Sequence, residues 1–189
     1  MKIGLYFGSF NPIHVGHLII ANHIVHNCDL DQVWMVVSPQ NPLKPANLLN
    51  EYHRLHLVKL ATEDNNKLKA SDIEFKLPKP SYTIDTLTYM DEKYPQHRFS
   101  VIMGSDSYQN LYNWKNYEQI LKRYTIIIYQ RPGYVVKENQ YGSIVVSDAP
   151  LLDISASFIR KNIQEGKSIE YLVSDKVREE IENNSYYKL

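Results

Sequence analysis

Two glycines and two imidazoles fall within ten residues, Gly8-Ser9-Phe10-Asn11-Pro12-Ile13-His14-Val15-Gly16-His17. Gly8 closes an apolar run and lets the backbone approach a ligand, while Gly16 removes a side chain where a helix begins. The free N–H groups and positive dipole end of that helix make an anion site. His14 and His17, three residues apart on the turn into the helix, can aim both rings at one point. Two such donors at a helix start suit phosphate oxygens better than a carbonyl. Metal ligation fits less well, because no Cys is near and the nearest carboxylate in sequence is Asp29, so no resident metal site is expected. The G-x-G-x-x-G fingerprint is absent, which argues against an ordinary nicotinamide or flavin oxidoreductase. The Walker pattern G-x-x-x-x-G-K-[ST] is absent as well.

Further candidates stand at similar junctions. Ile154-Ser155-Ala156-Ser157-Phe158-Ile159-Arg160 opens a helix, with Ser157 as its expected N-cap, Ile159 and Ile163 toward the core and Arg160 in the first turn. Taken alone, this is only a capped helix. Asp106, just after a strand and Gly104, is placed to accept hydrogen bonds from ribose hydroxyls. Tyr82 and Thr83 precede a helix whose first turn carries Asp85, which also describes an ordinary helix start. Trp114 reads either as core of an amphipathic helix or as an indole suited to stacking on a flat ring. Lys44 and Arg54 read by default as solvated charges, and the 15 scattered tyrosines as packing or interface residues.

The elements that must hold these residues alternate. Residues 2–7, 32–38, 70–75, 98–103, 124–130 and 143–147 read as strands. Helices are expected over 16–27, 50–65, 83–93, a segment marked by Trp114, Tyr117 and Leu121, then 157–165 and 175–183. Leu18, Ala21, Val25 and Cys28 give the first helix its apolar spacing, and Val173, Val177 and Ile181 give the last. Such alternation predicts an α/β fold: a Rossmann-like, doubly wound parallel sheet with helices on both faces. A helical C-terminal segment follows over about 155–189, and no repeat or composition shift divides the chain, so 1–189 reads as one domain. Residues 137–142 are expected to be mobile. Ligands bind such sheets beyond the carboxyl ends of the strands, where the topology switches direction. The residues singled out above fall just after strands.

Composition narrows the function classes. Of 189 residues, 43% are hydrophobic and 22% charged, enough for a core without disulfide or metal staples. The 21 basic and 21 acidic side chains cancel, so no global field draws the chain to nucleic acid or membrane. Cys28 stands alone, which excludes an intramolecular disulfide framework and fits a reducing compartment. The longest apolar run, residues 33–37, is far too short to span a bilayer, and residues 1–7 lack a signal peptide's long apolar stretch. A cytoplasmic setting is expected, and self-association into a homo-oligomer is compatible with this composition.

Residues 8–17, with their HxGH core, resemble the signature (T/S)FxPxHxGH of the nucleotidylyltransferase superfamily. Residues 155–160 resemble its second motif, (S/T)(S/T)xx(I/L)R, with Ala156 where the family commonly has Ser or Thr. The middle of the chain is similar to bacterial nicotinate-nucleotide adenylyltransferases. Four segments carry that likeness: Asn41-Pro42-Leu43-Lys44-Pro45 with Arg54 ten residues after Lys44, Pro80-Ser81-Tyr82-Thr83-Ile84-Asp85-Thr86-Leu87, Met103-Gly104-Ser105-Asp106 with Leu111 and Trp114, and Arg131-Pro132-Gly133.

The resemblance implies adenylyl transfer from ATP to nicotinate mononucleotide by direct in-line displacement, with Mg²⁺ accompanying ATP. It implies His14, His17 and Arg160 as catalytic residues. Gly8, Ser9, Phe10, Gly104, Asp106, Ser155 and Ser157 would join those three in binding ATP. Lys44, Tyr82, Thr83 and Trp114 would bind the acceptor. An acceptor of the nicotinamide mononucleotide or phosphopantetheine type, or a non-catalytic nucleotide sensor, are the competing readings. A sensor would be expected to break HxGH or lose Arg160, and both are intact.

Overall fold

The structure is a computed structural model that describes residues 1–40, 48–136, 142–146, 148–150 and 152–188. Lys44, and most of the segment expected to be mobile, lie outside the described residues. Six strands form the sheet: β1 (Lys2–Gly8), β2 (Gln32–Val37), β3 (Leu68–Ser71), β4 (Arg98–Gly104), β5 (Thr125–Tyr129) and β6 (Ile144–Val146). All pairings are parallel, in the order β3-β2-β1-β4-β5-β6. The chain walks outward from β1 to β3, returns to the centre at β4, and walks out the other way. The direction therefore reverses between β1 and β4, which run side by side from Lys2 opposite Arg98 to Tyr6 opposite Ile102.

Successive strand residues face opposite sides, so each strand feeds two cores. Tyr6, Met35, Ile102 and Ile127 pack with one group of helices: α1 (Val15–Asn27), α2 (Glu51–Thr62), α6 (Ala156–Gln164) and α7 (Asp175–Asn183). Leu5, Trp34, Val101 and Ile126 pack on the other face with α3 (Thr83–Lys93) and α5 (Tyr117–Arg123). The C-terminal helices thus share the core of α1 and α2 through Ile159, Val173, Val177 and Ile181. No helix among the described residues is long and apolar enough to cross a membrane.

Several local expectations are corrected. The buried stripe of α1 is Gly16, Ile20, Ala21, Ile24 and Val25, while Leu18 and Cys28 are only half-buried. The strand expected over 70–75 is instead β3 followed by a 3₁₀ turn at Ile73–Lys76, which turns Glu74 inward. A short helix, α4 (Ser105–Gln109), begins directly after Gly104. Trp114 is not helical: α5 starts at Tyr117, behind Asn116 in the left-handed region at φ 51°. That break leaves Trp114 on a connection at the sheet edge, off the helix's buried stripe. The cap of α6 is Ser155 and not Ser157, because Ser155 takes the extended conformation and its Oγ accepts from the Phe158 amide.

Candidate active site

Two cavities open side by side at the carboxyl edge of the sheet. The smaller, about 220 Å³, is lined by His14, Gly16, His17, Arg131, Tyr134 and Ser155 among others. The larger, about 410 Å³, is lined by Gly8, Glu74, Tyr82, Thr83, Gly104 and Trp114 among others. Tyr6 and Tyr129 line both. This is the crevice that a topological switch between β1 and β4 creates.

The loop after β1 builds the smaller cavity. His14, in extended conformation, precedes α1, and its amide donates to His17 Nδ1 at 3.3 Å. That acceptor role at Nδ1 puts the ring's N–H on Nε2. The two imidazoles stack with centroids 3.7 Å apart, and Phe10 meets His17 edge-on at 5.1 Å. A β-carbon at Gly16 would lie 3.1 Å from His14 Nδ1, so the small residue keeps that ring seated. Burial, with the Arg131 charge adding to it, pulls the His14 imidazole down to about 4. His14 is therefore a neutral ring at pH 7, able to hydrogen-bond an anion without bringing a charge.

Arg160, in the first turn of α6, donates from one guanidinium nitrogen to the Asn11 carbonyl at 2.7 Å and from the other to Ser157 Oγ at 3.2 Å. It thus ties α6 to the histidine loop across 149 residues of chain. Ser9 is buried with its Oγ unpartnered among the described residues. Asp106 forms an ion pair with Arg131 at 3.1 Å, and its other oxygen is buried without a partner among the described residues. A β-carbon at Gly104 would come within 2.4 Å of Asp106 Oδ1 and 3.2 Å of both Arg131 and Tyr129, so the glycine leaves the carboxylate its place.

Two buried ionisable side chains support these loops, one that the sequence suggested was solvated and one that it did not mark at all. Arg54, expected to be a solvated charge, is fully buried in α2. It donates to the carbonyls of Ser9, Ser38, Pro39 and Leu49 at 2.6–2.9 Å. Those carbonyls come from the ends of β1 and β2 and the start of α2, so one guanidinium gathers three connections. Glu74 is its counterpart at the larger cavity. Its carboxyl accepts from Ser81 Oγ at 2.6 Å and Thr86 Oγ1 at 2.9 Å, on either side of Tyr82 and Thr83. Burial pushes this carboxyl up, opposed by hydrogen bonds from Ser81, Ser38 and Thr86. Lys115, beside Trp114, also lines the larger cavity; its Nζ lies 4.9 Å from the Tyr82 ring centre and 2.8 Å from Asp85.

The structure thus brings His14, His17 and Ser155 around one cavity and Tyr82, Thr83 and Trp114 around the other. Gly8 and Gly104, expected beside the nucleotide, line the larger cavity, and Ser9, Phe10, Asp106, Ser157 and Arg160 stand in the supporting shell. Spacing carried no signal for Glu74 or Arg54, because only their partners decide that they are buried.

Known proteins resemble this chain at every level. The cytidylyltransferase-like family matches residues 5–162. A Flavobacterium psychrophilum protein named "Probable nicotinate-nucleotide adenylyltransferase" is 54% identical over the full length of both chains. One of the same name from Bacteroides thetaiotaomicron is 44% identical over 96% of this chain and 91% of its own. The fold is shared with Plasmodium falciparum nicotinic acid mononucleotide adenylyltransferase, solved in complex with NaAD, at TM-score 0.84 and 20% identity over 98% of this chain and 97% of that one. By its sequence along the whole length, the chain belongs to the cytidylyltransferase-like family and, within it, to the nicotinate-nucleotide adenylyltransferases.

Proposed function

We propose that the protein transfers the adenylyl group of ATP to nicotinate mononucleotide, releasing pyrophosphate and forming nicotinate adenine dinucleotide. The observation that carries this reading is the pair of adjoining cavities sharing Tyr6 and Tyr129, which suits two phosphorylated substrates meeting end to end. A phosphate oxygen of the acceptor bonds to the α-phosphorus of ATP as the bond to the departing pyrophosphate breaks. That oxygen is already ionised, so the reaction needs placement and charge neutralisation more than a strong base. His17 Nε2–H and the neutral His14 would hydrogen-bond the α- and β-phosphates. The start of α6, with Ser155, Ser157 and Arg160, would hold the leaving pyrophosphate. Mg²⁺ would accompany the nucleotide and would supply charge neutralisation at its phosphates, beside the His14, His17 and Arg160 side chains. Asp106 would accept from ribose hydroxyls, with Gly8, Ser9, Phe10 and Gly104 shaping the approach of the backbone.

In the larger cavity, Trp114 would stack on the pyridine ring and the main chain at Tyr82 and Thr83 would read its substituent, with Lys44 contributing from the loop after β2. Two features favour a carboxylate there over an amide. The first turn of α3 presents N–H groups at Thr83, and Lys115 adds a cation to the same lining. A cytoplasmic setting fits the single Cys28. The test is pyrophosphate release with ATP and Mg²⁺ against three acceptors. Release with nicotinate mononucleotide far above nicotinamide mononucleotide and phosphopantetheine is the expected result. Preference for either of the others would overturn the reading of the larger cavity, and no release with any would leave a nucleotide sensor.

A further inference from the structure

Tyr6 of β1 and Tyr129 of β5 meet over the intervening β4 at the joint between the cavities, each 4% exposed, with their hydroxyl oxygens 3.1 Å apart. A phenol has one proton to donate and lone pairs to accept with. Two hydroxyls bonded to each other use one proton between them, and no other side chain or carbonyl among the described residues takes the second. A buried hydroxyl proton without an acceptor costs roughly 1–3 kcal/mol, so a pair left in this state is ready for a ligand that brings an oxygen. Both rings are held firmly. Tyr6 meets Phe10 and Tyr129 edge-on at 5.9 Å and His17 at 6.1 Å, and the Arg131 guanidinium lies 5.7 Å from the Tyr129 ring centre. Burial and the neighbouring Tyr129 hold the Tyr6 phenol well above its usual range, so it stays a donor.

We propose that the Tyr6–Tyr129 pair donates the unused proton as a hydrogen bond to a non-bridging oxygen of the phosphate under transfer. The inference rests on the adenylyl-transfer reading, which places that phosphate where the cavities meet. The phenol keeps its proton throughout: the acceptor oxygen–phosphorus bond forms, the bridging bond to pyrophosphate breaks, and the hydroxyl stabilises charge on an equatorial oxygen. Because that charge is greatest in transit, the contact acts on kcat and not on binding.

The test compares Tyr6→Phe, Tyr129→Phe and the double variant, all of which keep the rings and their packing. The double variant should lose ~10²-fold in kcat. Each single variant, still holding one hydroxyl, should lose about tenfold, with both KM values within about threefold of wild type. A double variant with wild-type kcat would overturn the proposal, as would a loss carried by KM and melting temperature together, which a mere partition between the cavities would give. A second readout is independent of the acceptor. In protein labelled at tyrosine Cζ, ATP with Mg²⁺ should shift the Tyr6 and Tyr129 signals, identified by their absence in the Phe variants. Wild type inactive with every acceptor would defeat the adenylyl-transfer reading, and the carbon shifts alone would then decide for or against the phosphate contact.

Discussion

The two cavities are braced by opposite chemistries, a base and an acid. Behind the histidine loop a buried cation, Arg54, collects four carbonyls. Behind the larger cavity a buried carboxyl, Glu74, collects hydroxyls from either side of Tyr82 and Thr83. On the proposed reading, the choice of chemistry follows from the ligand each side would accept. Carbonyl oxygens near a triphosphate would repel it, so turning those of Ser9 and Ser38 onto Arg54 would leave donors to face the nucleotide. Around the larger cavity the task is to suspend two residues of main chain at a fixed height, and one carboxylate with two hydroxyl anchors does that. Neither brace needs to touch substrate.

This contrast breaks first at Arg54. Replacement by Met should leave four carbonyls without their donor, at ~1–3 kcal/mol each, and abolish folding or lower the melting temperature severely. Arg54→Lys, with fewer and less spread donors, should give a folded, destabilised protein whose KM for ATP rises more than its KM for the acceptor. Equal changes in both would show that the two braces are not separate. His17→Ala comes next: kcat should fall ~10²–10³-fold with the melting temperature near wild type, and wild-type kinetics in the folded variant would end the phosphate role.

The third prediction concerns pH. His14 titrates at about 4 when folded and at about 6.5 when unfolded, so between those values the unfolded chain holds more protons. Stability from this group is complete above pH 6.5 and is lost as pH falls toward 4. Urea unfolding should show a loss of about 2 kcal/mol between pH 7 and pH 5, flattened in His14→Gln. The smallest effect is expected at the acidic brace. Glu74→Ala should cost ~1–2 kcal/mol by orphaning the hydroxyls that donate to it and raise the acceptor KM about tenfold, with the KM for ATP unchanged. Glu74→Gln, which keeps one carbonyl acceptor, should recover most of that loss; an acceptor KM unmoved by Glu74→Ala would dissolve the comparison.

The frame of the molecule was legible because strands buried on both faces read as unbroken apolar runs. The histidine loop was legible because glycines and imidazoles at a strand–helix junction have few other uses. The braces were not. Arg54 finds its carbonyls as far as 45 residues away, and nothing in its neighbours' spacing marks it as buried. Glu74 sits in a 3₁₀ turn where alternation had suggested a strand. Trp114 was drawn into a helix by the apolar spacing of Tyr117 and Leu121, although Asn116 starts the helix later. Ser155 and Ser157 offer the same side chain two positions apart, so only the path of the incoming chain decides which one caps α6.

The strand order has a consequence for synthesis. β1 is made first but lies at the centre, and its second neighbour, β4, begins at Arg98. Until the ribosome has delivered residue 104, the side of β1 that β4 will occupy has no native partner, an edge able to pair with the wrong chain. At ordinary elongation rates of ~5–20 residues per second, several seconds separate the making of β3 from that of β4, and any sheet formed in that interval would have the most for a chaperone to shield.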